Sequence, residues 1–351
     1  VSVRAEGDGD ITLSPVADAV DGSPTNLLLA AEGSVTIGDV DLDDGAGDGV
    51  VTVTVDSNNN GVEIATFTGN LANVSTLTVA GSGNADDSIV FQGTVATSSG
   101  SINVSDALRV EILAGMSAAG QLAMSDITTL LVTAGSPVEA LGGLLDLDDG
   151  IGAIEISGTG TVQFSTGNDN DIELADVRDS GDGARTDLRI TSSGNLLGQA
   201  FDLNDGSVDG ALEIEIGGAD TGVNIALLSG AVAQVSAFTL SGVGDDDNVT
   251  FFGSVRTAGP FTLRNMGTVE LEGGVNLLAA SIAAIDSIGV LELTGSGNNL
   301  TATGGDLSLG NINSAGSLTM EAGPTDQISV SSHVGGGDIT IEDSDATVFA
   351  G

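Results

Sequence analysis

Three short segments share the pattern D-L-[DN]-D-G: Asp41 to Gly45, Asp146 to Gly150 and Asp202 to Gly206. Oxygen-bearing side chains gathered within one turn and closed by glycine are what a hard cation such as calcium requires. Asp39 and Asp48 extend the first segment and Asp209 extends the third. The candidate ligands are therefore Asp39, Asp41, Asp43, Asp44 and Asp48; Asp146, Asp148 and Asp149; and Asp202, Asn204, Asp205 and Asp209. The spacing excludes an EF-hand, because its Gly and Glu positions, counted from Asp39, hold Asp44 and Val50. The competing reading is a solvated acidic turn, since Asp and Gly are favoured in turns without any ion. Calcium is the one cofactor expected.

A second acidic set comprises Asp86-Asp87 and Asp245-Asp246-Asp247. Gly9-Asp10-Ile11 and the run from Gly167 to Ile172 each match half of a calcium-binding nonapeptide, but that motif works in tandem and here it stands alone. Paired carboxylates could also serve a polysaccharide hydrolase as acid and base. Against an enzyme, the chain has no Trp or Tyr to stack on sugars, and its carboxylate clusters recur with the array as structural positions do. His333 is the sole histidine and is expected at an ordinary surface position, so no Ser-His-Asp arrangement can be assembled. With no Cys there is no disulfide, thiolate ligand or thiol nucleophile.

What must position these groups is a duplicated set of short strands. Ile89, Phe91, Val95, Ile102, Val104, Val110 and Ile112 reappear as Val249, Phe251, Val255, Phe261, Leu263, Val269 and Leu271, in segments where apolar and polar residues alternate. A period of two is that of strands with one buried face. The duplication extends further: Val74 to Leu77 matches Val235 to Phe238, 161 positions on, and the same offset carries Gly61 onto Gly222 and Asp10 to Leu13 onto Asp171 to Leu174. A third copy begins near Ile328. The expected organisation is a first long copy over 1–161, a second over 162–327 and the start of a third over 328–351, running as one continuous solenoid within a longer array.

Inside each copy an alternating strand ending in Gly recurs six times at spacings of 21 to 34 residues, with one or two further strands between. A unit of that size is one coil of a parallel β-solenoid. The core must come from Val, Ile, Leu, Ala and only 9 Phe, which suits a narrow stacked interior, and 53 Gly against 5 Pro leaves the turns to glycine. The fold expected is all-β, a right-handed parallel β-helix of tandem coils. The rival is a string of β-sandwich domains, which would show a linker and a large aromatic cluster.

The phrase F-x-G-x-V-x-T followed by V-E-[IL]-x-[AG]-G, carried by Phe91 to Gly115 and Phe251 to Gly274, resembles the repeats of filamentous-haemagglutinin-type and autotransporter-like surface proteins of bacteria. The resemblance implies a β-helix exported to the cell surface as a fibre, adhesin or matrix component, and brings no catalytic residues with it. The formal charge of -43, with Arg as the only basic residue besides His333, departs from that pattern. Such a surface repels nucleic acid and anionic membranes and attracts cations. No apolar run approaches the ~18 residues of a membrane span. Partners expected are further subunits joined head to tail, or more of the same chain, and a cell-surface or glycan receptor.

Overall fold

The computed structural model describes residues 1–351 except 20, 46, 57–61, 83–85, 207, 218–222, 245, 343, 350 and 351, and describes the backbone alone at 284–287 and 349. Asp245 and the Gly61/Gly222 pair thus lie outside the described residues. The chain divides into two compact units, one of Val1–Ser157 with Val162–Ala175, the other of Gly158–Thr161 with Asp176–Gly351. Each is a parallel β-solenoid, and among the described residues there is no helix. Every ladder pairing between strands is parallel, which removes the antiparallel sandwich; a lone antiparallel bridge joins Asp43 to Asp48 within a turn.

In the first unit the chain lays down three strands per turn. Ser2–Ala5, Ile11–Leu13 and Val16–Ala17 pair respectively with Leu27–Ala31, Val35–Ile37 and Val40–Asp41. Across both units a turn takes from 19 residues, as between Gln327 and Ala346, to 31, as between Asp39 and Asn70. Like residues then stack in columns. Leu27, Val51, Leu77, Ile102, Leu122, Leu145 and Ile172 are successive register partners, and all are buried. In the second unit Ala226, Val249, Val269, Leu291 and Ile312 form such a column. His333 is the next partner, half-buried beside Ile312, so it continues this inward column instead of taking the surface position expected.

The alternation inside each strand is what the columns require: Gly49–Thr54 and Thr186–Ser192 bury every second residue. Interior coils are hydrogen-bonded to a coil on either side, so the ladder satisfies their backbone while the inward aliphatic side chains leave water. The few rings sit together. Phe67 and Phe91 stack with centroids 4.7 Å apart, and Phe238, Phe251 and Phe261 meet edge to face.

Glycine is the commoner residue with positive φ, as its abundance predicts, and Asn and Asp add corners of a second kind. The strands Leu71–Ala80, Ile102–Ile112, Leu122–Thr133 and Pro260–Leu271 each run across two faces, turning at Asn73, Asp106, Asp126 and Asn265, whose φ values are 51°, 59°, 52° and 51°. Asn and Asp tolerate this left-handed conformation better than other side-chain-bearing residues, so one residue bends the strand without a loop. Glycine serves also where coils touch: a Cβ on Gly93 would lie 2.1 Å from the Gly69 carbonyl oxygen.

These concealed corners correct the coil count. The recurring strand that ends in Gly follows one column from Leu27 through Val51 to Leu77, then a different column from Val110 through Leu130 to Ile154. The strand over Ile102 to Ser105, which continues the first column, interrupts no apolar run and goes uncounted. Six coils per copy is therefore an undercount.

Candidate cation sites

The first and third D-L-[DN]-D-G segments fold into one and the same turn. In the first, Asp41 Oδ1 accepts the Asp43 amide (3.2 Å), Asp43 Oδ1 the Gly45 amide (2.7 Å) and Asp44 Oδ1 the Gly47 amide (2.7 Å). In the third, Asp202 Oδ1 accepts the Asn204 amide (3.2 Å), Asn204 Oδ1 the Gly206 amide (2.8 Å) and Asp205 Oδ1 the Val208 amide (2.7 Å). Asp44 and Asp205 are buried, while Asp41, Asp43, Asp202 and Asn204 are exposed. The alternation of the preceding strand continues into the turn, so Val40, Leu42 and Asp44 point inward, as do Phe201, Leu203 and Asp205. Asp39 stands apart, its Oδ1 accepting the Asn70 amide of the next coil (2.8 Å). Asp48 and Asp209 are half-buried, and burial, aided by the charges of Asp205 and Asp202, raises the Asp209 carboxyl above its ordinary value.

The second segment takes another form. Asp146 lies within the strand Leu145–Leu147, facing out between two buried leucines, and Asp149 is exposed where Asp44 and Asp205 are buried. Asp146 is the register partner of Glu173 on the adjacent coil, and Asp146, Asp148 and Glu173 offer carboxylate oxygens within 4.8 Å of one another. Burial raises the carboxyls of both Asp146 and Glu173. The charges of Asp148 and Asp149 raise Asp146 further against a backbone amide that lowers it, and those of Asp148, Asp146 and Asp171 raise Glu173. Among the described residues no donor reaches Asp146 Oδ1.

Another carboxylate group joins Asp56, Glu63 and Asp87, again within 4.8 Å. Asp87 is a buried plug at a corner, where its Oδ1 accepts the Glu63 amide (3.1 Å) and its Oδ2 the Ser82 amide (2.9 Å). Asp247 does the same in the second unit, accepting the amides of Asn224 (3.0 Å) and Val243 (3.1 Å). The neutral Asn298 takes the equivalent role, its Oδ1 accepting the Val275 amide (3.0 Å). Because an amide fills the position too, this part of the acidic set is structural: it supplies acceptors for amides that the ladder leaves over. Glu63 is different. Its carboxyl is raised by burial and then by Asp56 and Asp87, with smaller contributions from Asp8 and Asp86.

Arg109, Arg185 and Arg189 lie beside carboxylates of their own or adjacent coils. Arg109 Nε meets Glu111 at 2.6 Å, Arg189 reaches Glu213 (3.8 Å) and Glu215 (3.6 Å), and Arg185 Nε meets Asp187 at 2.9 Å. These exposed pairs contribute little individually. What sequence spacing misses is Glu173, Asp56 and Glu63 in the first unit and Asp179 in the second: coil-to-coil register brings them into place, and coil length varies.

No family model, curated protein or solved structure matches this chain.

Proposed function

We propose that the chain is a structural segment of an extracellular or cell-surface fibre of the filamentous-haemagglutinin and autotransporter kind, a scaffold whose acidic outer columns are neutralised by calcium. The observation that carries this reading is the register of like charges: Asp146 stands beside Glu173, Glu270 beside Glu292, and Glu321 beside Glu342. Adjacent strands lie ~4.8 Å apart, and like charges directly opposite repel. A surface that carries such pairs suits the collection of divalent cations at them. Unpaired strand edges at the end of a solenoid support head-to-tail joining, or continuation of the chain, as the route to a fibre. Negative-stain imaging of the purified chain tests this. Filaments that form in calcium and disperse in chelator are expected, and discrete particles indifferent to calcium would contradict the reading.

One feature favours a receptor-binding module as the second reading. Val223, Ile225 and Leu227 point outward along one edge at 55%, 40% and 36% exposure, and Phe252, which follows the paired strand Asn248–Phe251, is 51% exposed. Cell-surface binding lost on Phe252→Asp, with folding intact, would support it; binding unchanged by that substitution would not.

A further inference from the structure

Asp18 and Asp179 occupy the same place in the repeat, 161 positions apart, as do Thr25 and Thr186, and Asp44 and Asp205. The two corners close differently. In the first unit both oxygens of Asp18 are used: Oδ1 accepts the Ala19 amide (2.8 Å) and Oδ2 the Thr25 amide (2.9 Å). The Thr25 side chain first, and then the amides of Thr25 and Ala19, hold the Asp18 carboxyl below its ordinary value.

In the second unit Asp179 ends the strand Val177–Asp179 on its inward side and is only 8% exposed. Its Oδ1 accepts the Gly181 amide (2.9 Å), and among the described residues no donor reaches Oδ2. The Thr186 hydroxyl lies near this carboxyl, but it is directed at the Gly158 carbonyl (2.6 Å). The charged neighbours acting on Asp179 are Asp182 and Asp205, both negative, and burial together with these two pushes its carboxyl up despite the Gly181 amide and the nearby hydroxyl. Asp205 comes from the adjacent coil, points inward and is 7% exposed. A buried carboxylate oxygen without a donor, next to a second buried carboxylate, is unfavourable unless a positive charge joins them.

We infer that Asp179 and Asp205 bind one calcium ion between successive coils, at the corner closed by the D-L-N-D-G turn. This rests on the reading of the fibre as cation-neutralised and names its first site. Calcium fits better than magnesium, because an irregular shell of two carboxylates completed by backbone carbonyls and water suits its flexible coordination, whereas magnesium demands a near-ideal octahedron. The first unit needs no ion at its counterpart, since Thr25 already satisfies Asp18.

The test is calorimetric titration of the chelator-stripped full chain with calcium chloride, repeated with magnesium, on the parent and on Asp179→Asn, Asp205→Asn and Asp18→Asn. Asp179→Asn and Asp205→Asn are each expected to bind one calcium fewer per chain, while Asp18→Asn keeps the parent's count. In chelator Asp179→Asn is expected to melt no lower than the parent, because the amide removes a buried charge; should it fail to fold, Asp205→Asn carries the same prediction. A parent that binds calcium and an Asp179→Asn variant with an unchanged count would overturn the site and leave the general reading intact. A parent that binds no calcium would overturn both. If a proton alone neutralises Asp179, the count is again unchanged and the site falls.

Discussion

Asp146 and Glu173 are register partners on successive coils of the first unit, so two outward carboxylates stand side by side with the Asp148 carboxylate within 4.8 Å. Elsewhere the same register sets opposite charges side by side, as at Arg189 and Glu213, but here like stands beside like. Glu173→Gln removes one of the two facing charges. In chelator it should stabilise the chain by about 0.2–1 kcal/mol, the usual scale of a cross-strand pair, and in calcium the gain should shrink or reverse. Paired thermal melts read both. A loss of stability in chelator would mean that the two carboxylates do not repel.

The same crowding sets a pH dependence. Burial, reinforced by neighbouring carboxylates, raises the carboxyls of Glu63, Asp146, Glu173, Asp179 and Asp209. A raised carboxyl binds its proton more tightly in the folded state, so between its ordinary value and the raised one stability increases as pH falls. Asp18, lowered by Thr25, works the other way, and its contribution is lost as pH falls through its lowered value. In chelator the melting temperature should therefore climb as pH is lowered from about 7 into the window just above the ordinary carboxyl range, near about 4–5. The double variant Glu63→Gln, Asp146→Asn should show a shallower climb. A melting temperature that falls steadily over this window would contradict the assignment.

Phe91 tests the core. Its ring is fully buried and stacks on Phe67 at 4.7 Å with planes 18° apart. Phe91→Ala should cost about 3–5 kcal/mol, the range for deleting a buried aromatic side chain. Phe91→Asp should cost more, since it also buries an unpaired charge. Denaturant melts of the two variants should keep that order; a Phe91→Asp melt matching the parent would place the residue outside the core.

Asp87 separates structural from ion-binding carboxylates. It accepts two backbone amides at a buried corner, so Asp87→Ala leaves both without an acceptor and should destabilise by about 1–3 kcal/mol for each orphaned group. Asp87→Asn retains one acceptor, as Asn298 does, and should recover part of the loss. Equal melts for the alanine and asparagine variants would show that the hydrogen bonds are not what matters there.

The strands themselves were legible in the sequence: the alternation around Ile89, Phe91, Ile102 and Val104 is the alternation of buried and half-buried positions in the fold. Corners made by Asp106 and Asp126 were not, because a single left-handed residue turns the strand inside an otherwise regular apolar pattern. The D-L-[DN]-D-G phrase located real turns at Asp41 and Asp202, yet at Asp146 the same letters fall on a strand, because the flanking Leu145 and Leu147 take the inward positions. Glu173 was missed since its neighbour Asp146 is one coil away, and coils that vary from 19 to 31 residues leave no fixed spacing to read. Asp179 was hidden for a subtler reason: both oxygens of Asp18 accept amides, whereas no donor among the described residues reaches Asp179 Oδ2, and the letters at the two corners do not separate them.

The measurement closest to the central claim is the thermal melt of the full chain, followed by far-UV circular dichroism, in chelator and again after calcium is restored at constant ionic strength. If divalent cations neutralise the stacked carboxylates, the melting temperature rises in calcium and returns to its lower value when chelator is added back. Superimposable melts under the two conditions would contradict the account and leave the acidic columns as a solubility feature alone.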